Sequence, residues 1–122
     1  MSKRRFNEKV SLDDIPEGHK GGNCYQVAVD TLMKNPNAKL VHGVVTGQGA
    51  IDGIQYGHAW VEDGDTVIDN TLRGDLRRLP KQLYYSIGNI NITRKYTYKQ
   101  AIENLIKYEH YGPWDKVFDD YL

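Results

Sequence analysis

Residues 57–71 read Gly57-His58-Ala59-Trp60-Val61-Glu62-Asp63-Gly64-Asp65-Thr66-Val67-Ile68-Asp69-Asn70-Thr71, or GHAWVEDGDTVIDNT. Two alternating apolar and polar runs flank a glycine-containing turn, the pattern of an antiparallel hairpin. With the turn at residues 62–65 and the pairing centred between Asp63 and Gly64, His58 stands opposite Asp69 on the adjacent strand. Side chains of such a pair share one face with their β-carbons roughly 5 Å apart, a gap that an imidazole and a carboxylate close with a hydrogen bond. Alternation places Tyr56, His58 and Trp60 on one face and Gly57, Ala59 and Val61 on the other. Glu62 and Asp63 are expected exposed at the turn.

Upstream of this hairpin, Gly21-Gly22-Asn23 precedes the segment 24–34, CYQVAVDTLMK, in which Cys24, Val27, Ala28, Thr31 and Leu32 follow helical spacing. Asn23 is the expected N-cap, its side-chain oxygen accepting from a free backbone N–H, and Asn35-Pro36-Asn37 stops the helix. Residues 39–46 are rich in β-branched side chains and read as a strand, followed by a glycine-rich connection over 47–53. That connection lacks the Lys-Ser or Lys-Thr and the following helix of a phosphate-binding loop.

Downstream of the hairpin, the charged connection 73–78 leads to an extended segment over 79–86 and a short strand at 89–93. Residues 97–108 then place Tyr98, Ala101, Ile102, Leu105 and Ile106 on one helical stripe. Gly112-Pro113 ends or redirects the chain, and Val117, Phe118, Tyr121 and Leu122 dock a last segment. The expected architecture is α+β: an N-terminal helix carrying the cysteine, packed on a small antiparallel sheet, with a C-terminal helix. Residues 21–122 form a single domain, and residues 1–20, MSKRRFNEKVSLDDIPEGHK, a flexible polar arm.

The composition bounds the function. A chain of 122 residues is one domain's length, and 39% hydrophobic with 26% charged residues is a globular balance. Sixteen basic residues offset sixteen acidic ones, so no global field recruits nucleic acid or an anionic membrane. The basic start has no apolar region behind it, and no run approaches a membrane span, which places the protein in the cytoplasm. The single cysteine excludes an internal disulfide and a multi-cysteine metal site. No cofactor is expected.

Cys24 falls in the first turn of its helix. The helix N-terminus carries partial positive charge and unpaired N–H groups, so a cysteine there is stabilised as the thiolate, the form that attacks carbonyl carbon. A lone cysteine is otherwise most often a small buried apolar residue. A thiolate nucleophile needs an imidazole to pair with it and to protonate the leaving group, and the imidazole needs a third group to fix its tautomer. His58 and Asp69 are suitable by type. Zn²⁺ accepts all three side chains as ligands, but the helix-start position favours a nucleophile over a ligand. Of the other histidines, His19 lies in a loop, His42 shares a strand face with Leu40 and Val44, and His110 is expected to meet carbonyls at a helix end. Trp60 is expected in the core, with a wall of the site as its alternative role. The tyrosines pack at the core edge, and Arg73, Arg77 and Arg78 form a solvated connection.

GGNCYQVA followed by YGHAWVEDGDTVIDNT resembles the transglutaminase-like branch of the papain-like cysteine enzymes. The resemblance includes His-x-Trp-x-Glu and the closing Ile-Asp-x-Thr, and covers about residues 21–71. It is also similar to the leader-removing cysteine peptidases of lasso-peptide biosynthesis, in which an Ala-Trp pair follows the histidine. The resemblance implies that Cys24 is the nucleophile, His58 the general acid/base and Asp69 its orienting group. One departure stands out: the segment 17–23 has no glutamine of the kind that papain-like peptidases use to bind the oxyanion. The backbone N–H of Cys24 is one replacement donor, and Asn23, Gln26 or Gln48 are side-chain sources. The expected activity is cysteine-dependent amide hydrolysis or acyl transfer on a protein or peptide substrate. The rival is a non-catalytic protein-binding module on the same fold.

Overall fold

The computed structural model describes residues 23–47 and 49–121. The expectations for residues 1–20 (with His19), Gly21, Gly22, Gln48 and Leu122 lie outside the described residues. The chain runs α1 (Cys24–Lys34), β1 (Lys39–Thr46), β2 (Gln55–Asp63), β3 (Thr66–Ile68), β4 (Arg78–Pro80), α2 (Lys81–Gly88), β5 (Thr93–Tyr96) and α3 (Tyr98–Tyr108), with 3₁₀ turns at Gly49–Ile51, Gly74–Arg77 and Lys116–Tyr121. The five strands form one sheet in the order β4-β3-β2-β1-β5, every neighbouring pair antiparallel. The fold is α+β, with the Cys24 helix, an antiparallel sheet and a C-terminal helix in the expected arrangement.

Side-chain alternation gives the sheet two buried faces. Leu40, Ala59, Val61 and Ile68 meet Tyr25, Ala28, Val29 and Leu32 of α1 and Ala101 of α3. On the other face Val41, Val45, Trp60 and Val67 meet Tyr84 of α2. A sheet covered on both sides this way removes its apolar stripes from water at roughly 25 cal/mol per Å². Helix α3 begins in a reciprocal cap: Thr97 accepts from the Gln100 N–H at 3.2 Å while the Gln100 side chain accepts from the Thr97 N–H at 2.9 Å.

Several elements differ from the sequence reading. The hairpin register pairs Val61 with Ile68, Glu62 with Val67 and Asp63 with Thr66. The turn is Gly64-Asp65, glycine first with φ 61°, the backbone that a type II′ turn reserves for glycine. Continuing this register sets Asp69 beside Trp60 rather than beside His58, a slip of two residues. Because the strand period is two, His58 and Asp69 keep a common face and become diagonal neighbours.

The segment read as extended over 79–86 is mostly helix. Pro80 ends β4 and sits at the N-cap of α2, and Asn89 closes the helix in the left-handed conformation at φ 48°. The paired strand downstream is Thr93–Tyr96, which lies on the free edge of β1. Glu62 is buried rather than exposed, because it accepts from Trp60 Nε1 at 3.1 Å, from Lys95 Nζ at 2.9 Å and from the Tyr85 hydroxyl. Burial alone would raise its pKa, but these donors outweigh it and hold the carboxylate below its usual range.

Candidate active site

Strand β3 stops at Ile68, so the chain is free to turn at Asp69 while β2 continues past it. His58 lies on that stretch of β2, beyond the end of β3 and opposite Gly43 of β1. Its Nε2 is 2.9 Å from Asp69 Oδ2, with both residues buried. The Cys24 side chain is near enough to act on the same imidazole, raising its pKa alongside Asp69. The diagonal placement that follows from the observed register is therefore short enough for the long imidazole and carboxylate to span.

Asp69 is 2% exposed and its carboxylate is saturated with donors. Oδ1 accepts from the Thr71 N–H at 3.0 Å and the Thr71 hydroxyl at 2.6 Å, while Oδ2 accepts from His58 and from the Tyr84 hydroxyl at 2.6 Å. Burial pushes its pKa up, but the His58 charge and these hydrogen bonds prevail and hold it well below the ordinary carboxylate range. For His58, burial disfavours the imidazolium, yet the Asp69 carboxylate and the Cys24 sulfur more than reverse that and raise its pKa to about 10. Both partners favour the charge-separated form. The Thr71 contacts belong to the Ile-Asp-x-Thr motif. Tyr84 lies in the segment expected to be extended, which is helix α2, and no sequence signal ties it to Asp69.

Cys24 opens α1, whose first backbone N–H groups have no intrahelical acceptors. Asn23 occupies the N-cap position, but contrary to expectation its side chain makes no capping bond; at φ −92° and ψ 16° its backbone is outside the extended region that a capping side chain normally requires. The helix start is held instead by the Val27 N–H to Asn23 carbonyl bond at 3.0 Å and by close packing on β2. A β-carbon at Gly57 would come within 2.6 Å of the Tyr25 hydroxyl, so glycine at that position lets the first turn of α1 approach the strand next to His58.

Trp60 is buried in the core and stands beside His58, ring centroids 6.1 Å apart, forming a wall behind the imidazole. Its N–H is engaged by Glu62, so it donates nothing toward Cys24. Gln26 is exposed on α1. His110 does not contact helix carbonyls; its Nδ1 accepts from the Gly112 N–H at 3.1 Å. His42 is 0% exposed, with neither ring nitrogen hydrogen-bonded, in a box of Tyr25, Tyr96, Trp114 and Phe118 at centroid distances of 4.9–6.2 Å. Burial first, and the His110 charge second, lower its pKa to about 3. Arg73, Arg77 and Arg78 are exposed, and Arg77 Nε donates to the Leu72 carbonyl.

Among the described residues no group of His, Cys, Asp and Glu is placed to hold a metal ion, and no helix is long and apolar enough to cross a membrane. No family model matches the chain, and no match is found among curated proteins or solved structures.

Proposed function

We propose that the protein is a cysteine-dependent amide hydrolase or acyltransferase of the peptidase, deamidase or transglutaminase type. The observation that supports this reading is the buried His58–Asp69 pair, in which an imidazole meets a donor-saturated carboxylate at 2.9 Å and also feels the charge of the chain's single cysteine, Cys24. The Cys24 sulfur attacks the carbonyl carbon of a peptide bond or carboxamide. As the C–S bond forms and the C–N bond breaks, His58 gives its proton to the leaving amine. Water or a second amine then attacks the thioester, His58 takes the proton from that nucleophile, and sulfur leaves. Asp69 keeps the ring oriented and balances its charge throughout. The Cys24 N–H at the head of α1 is suited to the oxyanion, with the adjacent Asn23 as a candidate side-chain source. The substrate is a protein or peptide, and a lone free thiol of this kind suits the reducing cytoplasm.

One observation favours a second reading, a non-catalytic protein-binding module on the same fold: Cys24 is only 3% exposed. A single experiment separates the two. For the enzyme, iodoacetamide alkylates Cys24 readily at about pH 6, where an ordinary thiol barely reacts, and His58→Ala slows the reaction roughly tenfold or more. Slow alkylation that is indifferent to His58 removes the enzymatic reading.

A further inference from the structure

Asp69 Oδ2 accepts from two donors at once, His58 Nε2 at 2.9 Å and the Tyr84 hydroxyl at 2.6 Å. Tyr84 stands on α2, outside the hairpin and the cysteine helix that supply the rest of the site. It is buried, and its ring packs on Trp60 with centroids 5.1 Å apart, so the hydroxyl is held in place. The second carboxylate oxygen is fixed independently by Thr71. Loss of the Tyr84 hydroxyl therefore changes chiefly the charge left on Oδ2.

Two donors on one oxygen compete. When His58 is protonated, its ring draws on Oδ2 and the bond from Tyr84 weakens. When His58 is neutral, Oδ2 is richer in charge and the bond from Tyr84 strengthens. The tyrosine accordingly stabilises the neutral-imidazole state more than the charged one.

We propose that Tyr84 is a positioning residue that acts on His58 through the Asp69 oxygen they share, easing release of the imidazole's proton. The inference rests on the reading of Cys24, His58 and Asp69 as a triad. In that reaction His58 must first donate a proton to the leaving amine and then, neutral, accept one from the nucleophile that resolves the thioester. A buried carboxylate without a second donor would hold the imidazolium too firmly for the second half. Tyr84 offsets that pull without breaking the His58–Asp69 bond.

The test is an NMR titration of the His58 ring in the unmodified protein, in Tyr84→Phe and in protein carrying 3-fluorotyrosine at position 84, together with the pH profile of Cys24 alkylation. Tyr84→Phe is expected to raise the His58 midpoint by roughly half to one pH unit, a fraction of a charge-assisted hydrogen bond, and to carry the upper edge of the alkylation profile with it. Fluorotyrosine is nearly the same shape and a stronger donor, so it moves the midpoint down; it also carries the test if Tyr84→Phe fails to fold. An unchanged midpoint in the substituted proteins, with alkylation still slowed by His58→Ala, overturns the role of Tyr84 alone. Alkylation indifferent to His58→Ala removes the triad, and the role of Tyr84 with it.

Discussion

Replacing Asp69 by Asn changes one atom and sets the buried hydrogen-bond network against itself. The carboxylate accepts four bonds: His58 and Tyr84 at Oδ2, the Thr71 N–H and hydroxyl at Oδ1. A carboxamide has one accepting oxygen and one donating nitrogen. If the oxygen turns toward Thr71, the NH₂ faces the donors of His58 and Tyr84. Tyr84 can rotate its hydroxyl to accept, but His58 must then move its own proton to Nδ1. If the oxygen turns toward His58, the NH₂ faces the Thr71 backbone N–H, which cannot invert. Either way at least one buried donor is orphaned, at about 1–3 kcal/mol, and the imidazolium also loses its counter-charge. Urea unfolding near pH 5.5 should therefore give a loss of about 2–4 kcal/mol for Asp69→Asn. A loss under about 1 kcal/mol would mean that the carboxylate is not the acceptor of all four bonds, and the account of the site would fall with it.

The same pair fixes a pH window. Asp69 has a lowered folded-state pKa, so its stabilisation is present above the ordinary 3.8 and is lost as pH falls below that value toward the lowered folded-state pKa; His58, raised from 6.5 to about 10, stabilises fully below 6.5 and loses that contribution as pH rises toward 10. Stability followed by urea midpoint should thus decline on the alkaline side above 6.5, and Asp69→Asn should flatten that decline. His42 acts oppositely: held neutral among Tyr25, Tyr96, Trp114 and Phe118, with His110 the titratable neighbour, it stabilises fully above 6.5 and loses that contribution as pH falls from 6.5 toward about 3. His42→Leu should make the acid side of the stability profile shallower, by up to a few kcal/mol across that range. Gly57→Ala drives a methyl to 2.6 Å from the Tyr25 hydroxyl and should destabilise by about 1–3 kcal/mol while slowing Cys24 alkylation, measured on the same sample. Thr97→Ala removes the N-cap of α3 and should cost about 1 kcal/mol, read as a lowered melting temperature.

Elements with strong periodicity were legible in the sequence. The 39–46 strand, the cysteine helix and the helix after Thr97 occur where spacing places them, because their apolar stripes match the sheet they cover. The hairpin was legible as a hairpin but not in register, since both candidate turns hold a glycine and only the backbone at Gly64 decides between them. Helix α2 was missed because its inward residues are tyrosines, which read equally as strand, while Leu83 and Ile87 are exposed and break the amphipathic pattern. The cues that remained, Pro80 ahead of the helix and Asn89 behind it, are helix-boundary chemistry rather than strand chemistry. That miss hid Tyr84, and placing Glu62 at the hairpin turn hid its partners on β5 and α2, because contacts between distant elements leave no local trace.

The two described histidines on the central strands separate what burial does from what partners do. His42 on β1 and His58 on β2 lie on adjacent strands, His42 opposite Ala59 and His58 opposite Gly43, and the pleat sends their rings to opposite faces. Both are removed from water, and for each the largest influence is burial, which disfavours the imidazolium. They nevertheless end in opposite states, because the ring nitrogens of His42 find no hydrogen-bond partner among the described residues while His58 meets a carboxylate that four hydrogen bonds keep ionised. Burial alone therefore cannot mark a functional histidine in this fold; the carboxylate does. Asp69 can supply that charge only because β3 ends one residue before it, freeing the chain to turn the carboxylate under the continuing strand of His58. A fourth paired residue in β3, beyond Ile68, would instead commit the Asp69 backbone to pairing with β2, so the short strand is as much a part of the proposed site as the side chains it releases.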